Sequence, residues 1–204
     1  GVYRADGAMG QFTIVCPEQD MIIAINETAV GAHWAQNTLD ITWNYLAKVD
    51  SAPVSQDEKA QDDLQRKLRT LNTPNPAYKP YSPMIPEITG KRYQITQGRL
   101  TPEVVSFMGG ATVLEAASCS FDFDNYGCVW NITTPEGEQV PVRVATYGGR
   151  FTNLVKRPED QTQMLVTSGS WLAEDTFQIV CRWTQTCFTK KLNFRFTQEG
   201  FTVE

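Results

Sequence analysis

The serines of this chain have the wrong neighbours for nucleophilic catalysis. A lysine three residues after a serine lies one helical turn away and eases removal of the hydroxyl proton. No serine here has such a lysine: Ser55 is followed by Glu58 and Ser82 by Ile85. No tyrosine has an asparagine two residues later, so a second common element of such sites is also absent from the sequence. We therefore predict no catalytic residue and no acyl transfer by this chain alone.

Other reactive side chains give no stronger pattern. The only histidine, His33, would have to serve any Ser-His-Asp or Cys-His site, but its place at a predicted helix start favours a capping or surface role. Asp122 and Asp124 could pair as carboxylates or hold a cation. No Gly-rich ligand loop surrounds them, so we predict that they face solvent. We predict no metal site and no cofactor.

Five cysteines have no Cys-x-x-Cys or Cys/His metal spacing. Most lie in strand-like apolar runs, where a free thiol behaves as a small hydrophobic group. The alternative is a Cys119–Cys128 disulfide, if the protein is exported. The odd count favours a reducing compartment, so we predict a cytoplasmic protein, or a periplasmic one if a parent chain carries a signal peptide. The cysteines are Cys16, Cys119, Cys128, Cys181 and Cys187.

The first 87 residues predict a small α/β segment followed by a linker. Apolar runs at 11–16 and 21–26 flank a polar turn and predict two strands, and apolar spacings of three, four and seven predict a helix at about 34–48. A capping-box pattern at 55–58 opens a second helix, with an apolar stripe at Leu64, Leu68 and Leu71. Five prolines between 73 and 86 then predict an extended linker. These prolines are Pro74, Pro76, Pro80, Pro83 and Pro86.

From Gly90 onward, short alternating runs separated by polar turns predict β-structure throughout. Regular short strands of this kind favour an antiparallel meander that closes, or nearly closes, into a small barrel. The predicted fold class is therefore mainly β, within an α+β chain.

The opening stretch 3–12, and Ala5-Asp6-Gly7 within it, resembles the end of the transpeptidase-like domain of β-lactamase-related serine hydrolases, the class C β-lactamase and penicillin-binding-protein superfamily. The resemblance implies that residues 1–49 are the last hairpin and helix of such a domain, and that Ala5-Asp6-Gly7 stands where the family has Lys-Thr-Gly or His-x-Gly. It also implies a substrate-binding remnant of Ala5, Asp6, Gly7 and Ala8, in which the Ala8 N–H is an oxyanion donor. The cation of the family pattern is missing here.

The second half resembles the lipocalin-like β domain appended to some of these hydrolases. The resemblance rests on Ser168-Gly169-Ser170-Trp171, Glu174-Asp175-Thr176-Phe177 and 192–196. Together the two resemblances imply three segments: 1–49, a charged helix and linker at 50–87, and an accessory barrel at 88–204. The implied partner is the N-terminal hydrolase domain of a parent chain.

Two further functions stay open for the barrel, namely a small-molecule carrier and an interaction or dimerisation module. Trp130, Trp171 and Trp183 are predicted to fill the interior; as a carrier, the barrel would use them to line a pocket together with Arg143 and Arg182. The predicted hairpin has an unpaired edge, which predicts a possible homodimer.

Charge and hydropathy exclude two classes of partner. A net charge of −5 and a pI of about 5.0 oppose nucleic-acid binding, which requires a basic surface. No apolar run approaches the roughly 20 residues that cross a bilayer, so no membrane span is predicted.

Overall fold

The computed structural model describes residues 1–29, 35–52, 55–102, 114–156, 162–186 and 189–204. The predictions for His33, for the first residue of the helix at 34–48 and for Cys187 lie outside these residues. The chain forms two compact units, Gly1–Asn72 and Thr73–Glu204, here called the N unit and the β unit. The Pro-rich segment belongs to the β unit, whereas the sequence-based division at 49 and 87 stays a prediction.

The N unit contains a three-stranded antiparallel sheet and two helices within its described residues. The strands are β1 (Tyr3–Gly7), β2 (Gln11–Cys16) and β3 (Met21–Ile25), with β2 in the centre and a 3-10 turn, Pro17–Gln19, between β2 and β3. The helices are α1 (Gln36–Leu46) and α2 (Glu58–Thr70).

The N-cap of α2 differs from the one that the capping-box pattern predicts. The N-cap of α2 is Asp57, whose carboxylate accepts the Ala60 N–H at 2.9 Å, and not Ser55. Asp57 sits directly before the first helical residue, where a short carboxylate side chain reaches the orphan N–H groups of the first turn. Leu64, Leu68 and Leu71 are at least half exposed, so the apolar stripe of α2 is uncovered in the described structure.

The β unit confirms the prediction of a mainly β chain. A curled half-barrel sheet follows a short helix, α3 (Ile85–Ile88), and runs in the order β12-β11-β10-β9-β7-β6-β5-β4, with β8 paired to β9 off this path. Its strands are β4 (Arg92–Gln94), β5 (Ser118–Phe123), β6 (Gly127–Thr133), β7 (Gln139–Ala145), β8 (Phe151–Lys156), β9 (Thr162–Trp171), β10 (Thr176–Trp183), β11 (Thr189–Phe196) and β12 (Phe201–Val203).

One pairing departs from the antiparallel prediction. Ala145 of β7 pairs with Ser168 of β9 in parallel, while the other ladders between the described strands are antiparallel. The long strand β9 pairs with β8 over its first half, from Thr162↔Lys156 to Thr167↔Phe151, and reaches β7 only beyond that point. The chain order of strands therefore does not give their order in the sheet.

The side chain of Asn153 joins β7 to β8 where no backbone ladder links these two strands. Its Oδ1 accepts the Arg143 N–H at 2.7 Å, and its Nδ2 donates to the Arg143 carbonyl at 2.9 Å and the Leu165 carbonyl at 3.2 Å. The side-chain amide of Asn153 thus makes the hydrogen bonds to β7 that the backbone of a paired strand would otherwise make. The Arg143 N–H points away from β6, towards Asn153, and the nitrogen of Pro141, two residues earlier, lies on this same edge of β7. The missing N–H of Pro141 therefore removes no hydrogen bond between β7 and β6.

Alternation along the strands fills the concave side of the sheet with apolar side chains. In β10, Phe177, Ile179, Cys181 and Trp183 are buried, while the residues between them are more exposed. The rings form edge-to-face contacts, such as Phe121 with Phe194 at 5.0 Å between centroids. At the two sheet edges, Tyr93 of β4 and Phe201 of β12 also contact each other, at 5.3 Å. The half-barrel therefore has a continuous aromatic core.

Candidate functional site

The segment Ala5–Ala8, the predicted substrate-binding remnant, lies at the end of β1 and in the turn to β2. Ala5, Asp6 and Ala8 are exposed and Gly7 is half-buried. Asp6 accepts two hydrogen bonds from Arg4, at 2.7 Å from Nε and 3.0 Å from Nη2, and this carboxylate raises the Arg4 guanidinium pKa. The Arg4 guanidinium is thus paired with the Asp6 carboxylate at the surface and is not a free cation.

The turn after Ala8 is held by Gly10 and by the side chain of Glu27. Gly10 has a φ of +90°, and a Cβ added there would lie 2.5 Å from Glu27 Oε1, so both backbone conformation and space require glycine. Glu27 Oε2 accepts the Thr38 hydroxyl of α1 at 2.6 Å. The Met9 carbonyl accepts the Ala29 N–H at 2.9 Å, which ties the turn to the segment after β3. Glu27 was not among the residues predicted from the sequence, because Asn26-Glu27 has the composition of an ordinary strand end.

The three indoles proposed as pocket residues lie in the core of the β unit. Trp130, Trp171 and Trp183 are all under 5% exposed. Trp130 packs on Phe194 at 5.6 Å and Trp171 on Phe177 at 5.1 Å between ring centroids. These contacts place the indoles among aromatic side chains.

Arg143 and Arg182 lie on the other face of the same sheet. Arg143 stands between buried Val142 and Val144, so its side chain points outward, where its guanidinium lies 5.5 Å from the Phe151 ring centroid. Arg182 precedes buried Trp183 and donates from Nε to the Thr189 hydroxyl at 3.0 Å. The structure therefore does not bring the indoles and the guanidinium groups together in one pocket.

Four cysteines are buried and free: Cys16, Cys119, Cys128 and Cys181. The alternative Cys119–Cys128 disulfide is wrong, because Cys119 pairs with Ile132 and Cys128 with Phe123, which separates the two thiols by four residues along the ladder. Burial raises the pKa of Cys119 to about 12, although the Trp130 indole acts in the opposite direction. Burial also raises the pKa of Cys181 to about 12 and that of Cys128 well above 9.0.

We expect the Cys119, Cys128 and Cys181 thiols to resist iodoacetamide in the folded protein at about pH 8 and to react once it is unfolded. Because burial raises their pKa on folding, the stability that these thiols contribute is present below pH 9 and is lost as the pH rises towards about 12. Peptide mass mapping and urea unfolding at two alkaline pH values check both expectations. Rapid alkylation of any of the three in the folded state would contradict the buried arrangement.

Asp122 of β5 and Asp124, directly after this strand, both have structural partners. Asp122 accepts the Asn131 amide of β6 at 2.6 Å. Asp124 Oδ1 accepts the N–H groups of Tyr126 and Gly127 at 2.7 and 2.8 Å, which closes the turn into β6. Among the described residues, no group of three or more His, Cys, Asp or Glu side chains is arranged to hold a metal ion.

No protein-family model, curated protein or solved structure matches this chain. Across the described parts of the chain, no helix combines the length and apolar character that crossing a bilayer requires. The assignment of a function therefore depends on the residues themselves.

Proposed function

We propose that this chain is the non-catalytic C-terminal part of a β-lactamase-related serine hydrolase. In this proposal the N unit supplies the last strands and helix of the hydrolase domain, and the β unit is an accessory, lipocalin-like domain. The support is of two kinds: the sequence resemblance around Ala5-Asp6-Gly7, and the uncovered face of the N-unit sheet.

The sheet of the N unit has one covered face and one open face. On the covered face, Phe12, Ile14 and Cys16 of β2 are buried, in a cluster with Leu39 of α1. The other face presents two cross-strand rows with no charged side chain, because residues opposite each other in the register share a face. These rows are Tyr3–Val15–Ile22 and Ala5–Thr13–Ala24.

This open face is the observation that carries the proposal. Tyr3 is 62% exposed and Ile22 is 69% exposed. A sheet face of small and apolar residues is typical of a sheet that is buried on both sides between other layers. Only five apolar residues of the described N unit are fully buried, which is a small core for the segment Gly1–Asn72. A missing layer of the same domain would cover this face.

The β unit, in contrast, has a core of its own, in which 22 of its described apolar residues are buried in one cluster. A self-sufficient half-barrel suits an appended domain that folds beside the hydrolase domain. The lipocalin-like character and the accessory role belong to the proposal.

Ile22→Asp tests the proposal without an activity assay. Because Ile22 is exposed here, the substitution should change the stability of this 204-residue chain by no more than about 0.5 kcal/mol. In the longer protein that this proposal implies, it should cost about 3 kcal/mol or more, because a charge would be buried without a partner. Glu18→Gln, at an exposed turn position, is the matched control and should be neutral in both proteins.

Activity provides the second arm of the test. The natural coding sequence upstream should encode Ser-x-x-Lys followed by Tyr-x-Asn, and the longer protein should form an acyl-enzyme with a fluorescent penicillin or a fluorophosphonate, whereas this chain should not. An upstream sequence without these elements would refute the hydrolase proposal. If Ile22→Asp instead converts a dimer of this chain into a monomer, a second copy covers the face and the dimerisation alternative is favoured.

A further inference from the structure

The Pro-rich segment of the β unit, residues 73–81, lies across the outer face of the half-barrel sheet and is here called the strap. Its Lys79 carbonyl accepts the Trp171 N–H at 2.9 Å, and its Pro74 carbonyl accepts a hydrogen bond from Arg150. Prolines at 74, 76 and 80 fix the backbone φ angles, so the strap is stiff. Under it lies a cleft of about 350 Å3, at the lower end of the roughly 300–1,000 Å3 that small-ligand sites occupy.

The floor of the cleft is built from outward-facing residues of three neighbouring strands. Ser168 and Ser170 come from β9, Gln178 and Val180 from β10, and Lys191 from β11. Because side chains alternate along a strand, these residues stand opposite the aromatic core and share one face of the sheet. The wall on the strap side includes the rings of Pro74 and Pro76. The cleft therefore combines hydroxyl and amide groups with apolar surface.

Ser170 points to a ligand in this cleft. Its side chain is buried, at 4% exposure, and its Oγ has no hydrogen-bond partner among the described residues. A buried hydroxyl without a partner costs free energy, so an ordered water or a ligand usually completes the hydrogen bonding of such a group. Gln178, on the neighbouring strand, donates its Nε2 to Asn193 at 2.8 Å, so the floor around Ser170 is otherwise ordered.

The charge around the cleft defines the class of ligand. Arg150, Arg182 and Lys191 line it, and its described lining includes no carboxylate, although the chain as a whole has a net charge of −5. Arg182 is oriented by its bond to Thr189 and Arg150 by its bond to the strap. Oriented guanidinium groups favour carboxylates and phosphates, whose oxygens accept several hydrogen bonds.

We propose that the cleft under the strap binds a small organic anion, with its carboxylate or phosphate between Lys191 and the Ser170 hydroxyl. Arg182, which lies farther along the cleft opposite Val166, adds positive charge. The apolar part of the molecule packs on the proline rings of the strap and on Val180. This site lies wholly in the β unit and does not depend on the hydrolase proposal. It differs from the interior pocket that the sequence suggested for a carrier, because it lies on the outer face of the sheet.

Calorimetric titration of the 204-residue chain with phenyl phosphate and with benzoate tests the proposal. We expect saturable one-to-one binding of at least one of them, and the comparison of the two shows which oxyanion is preferred. Phenol, which has the same ring without the anionic group, should not bind. The combined substitution of Arg182→Gln and Lys191→Gln should weaken binding at least about tenfold, because it removes one charge-assisted contact and a second positive charge from the cleft. Lys79→Gln, on the strap but outside the cleft lining, should leave it unchanged.

Ser170→Ala separates a ligand site from a structural role. It removes a buried hydroxyl that has no partner in the described structure, so the melting temperature of the free protein should not fall, while binding of the anion should weaken severalfold. Absence of saturable binding for both anions would overturn the proposal. Equal binding of phenol, or an equal loss in the Lys79→Gln variant, would also overturn it, because either result would make the interaction apolar or a nonspecific charge effect.

Discussion

Replacing Asn153 by leucine should destabilise the β unit by about 3–5 kcal/mol, the largest effect expected for a residue outside the aromatic core. The side chain is 8% exposed and bonds β7 and β9 from β8, through the Arg143 N–H and the Arg143 and Leu165 carbonyls. Leucine has nearly the same size but leaves the Arg143 N–H without its partner and removes the Asn153 bonds to the Arg143 and Leu165 carbonyls, of which the first keeps the Thr167 hydroxyl. Urea unfolding followed by near-ultraviolet circular dichroism measures the loss.

Asn153→Asp tests the same contacts by replacing the donating amide with a carboxyl group that can carry a negative charge. The carboxylate would place an oxygen where Nδ2 now donates to two carbonyls, so folding should raise the pKa of the introduced carboxyl group. The folded protein would then be more stable at low pH, where this carboxyl is protonated, and would lose stability as the pH rises through the raised pKa. Asn193→Asp is the matched control, because Asn193 is half-buried and its Oδ1 accepts from Gln178. If both variants are equally stable at neutral pH, the bridging role of Asn153 is wrong.

The mainly β character of the chain followed from local pattern alone. In β7 and β10 buried apolar residues alternate with more exposed ones, apart from Ala145 at the end of β7, which is buried like Val144 before it. Such alternation is a local property, since each side chain points to the face opposite its neighbour's. Sheet order is not local: nothing in the sequence of β8 indicates that it pairs only with β9, or that Asn153 replaces a missing backbone ladder.

The separation of the arginines from the indoles could also be predicted in part from the sequence. Arg182 directly precedes Trp183 in one strand, so their side chains face opposite sides of the sheet. Arg143 required the register as well, since it lies opposite Val129 while Trp130 lies opposite Val142. The two-residue alternation of a strand therefore excludes the side chain of Arg182 from any interior pocket that contains Trp183.

The cleft under the strap depends on contacts between distant parts of the chain, which no local pattern contains. Five prolines predict a stiff, extended segment, but whether it spans two domains or lies on one is decided by its bonds. Lys79 bonds to Trp171, 92 residues later, as Ser82 does to the carbonyl of Glu174. In the sequence, Ser170 is an ordinary strand serine, and only the folded position of the strap shows that its hydroxyl is covered.

Trp130→Ala should destabilise the β unit by about 3–5 kcal/mol, because it removes a fully buried indole from the centre of the core. The Trp130 ring is parallel to Phe121, with an interplanar angle of 3°, and packs edge-on against Phe194. Truncation would leave a cavity that neighbouring rings cannot fill without leaving their rotamers. Trp130→Phe keeps an aromatic ring in these contacts and should cost less than half as much, as measured by the same urea unfolding.

Tyr126→Ala is the control, because this aromatic residue precedes the same strand but is 75% exposed, and its removal should be close to neutral. The size of the Trp130 effect also decides between two roles of the half-barrel interior. A loss of less than about 1.5 kcal/mol for Trp130→Ala would mean that the indole borders open space, as a carrier of apolar molecules requires. A loss in the expected range would mean that the aromatic side chains fill the interior, which leaves the outer face of the sheet as the surface available to small ligands.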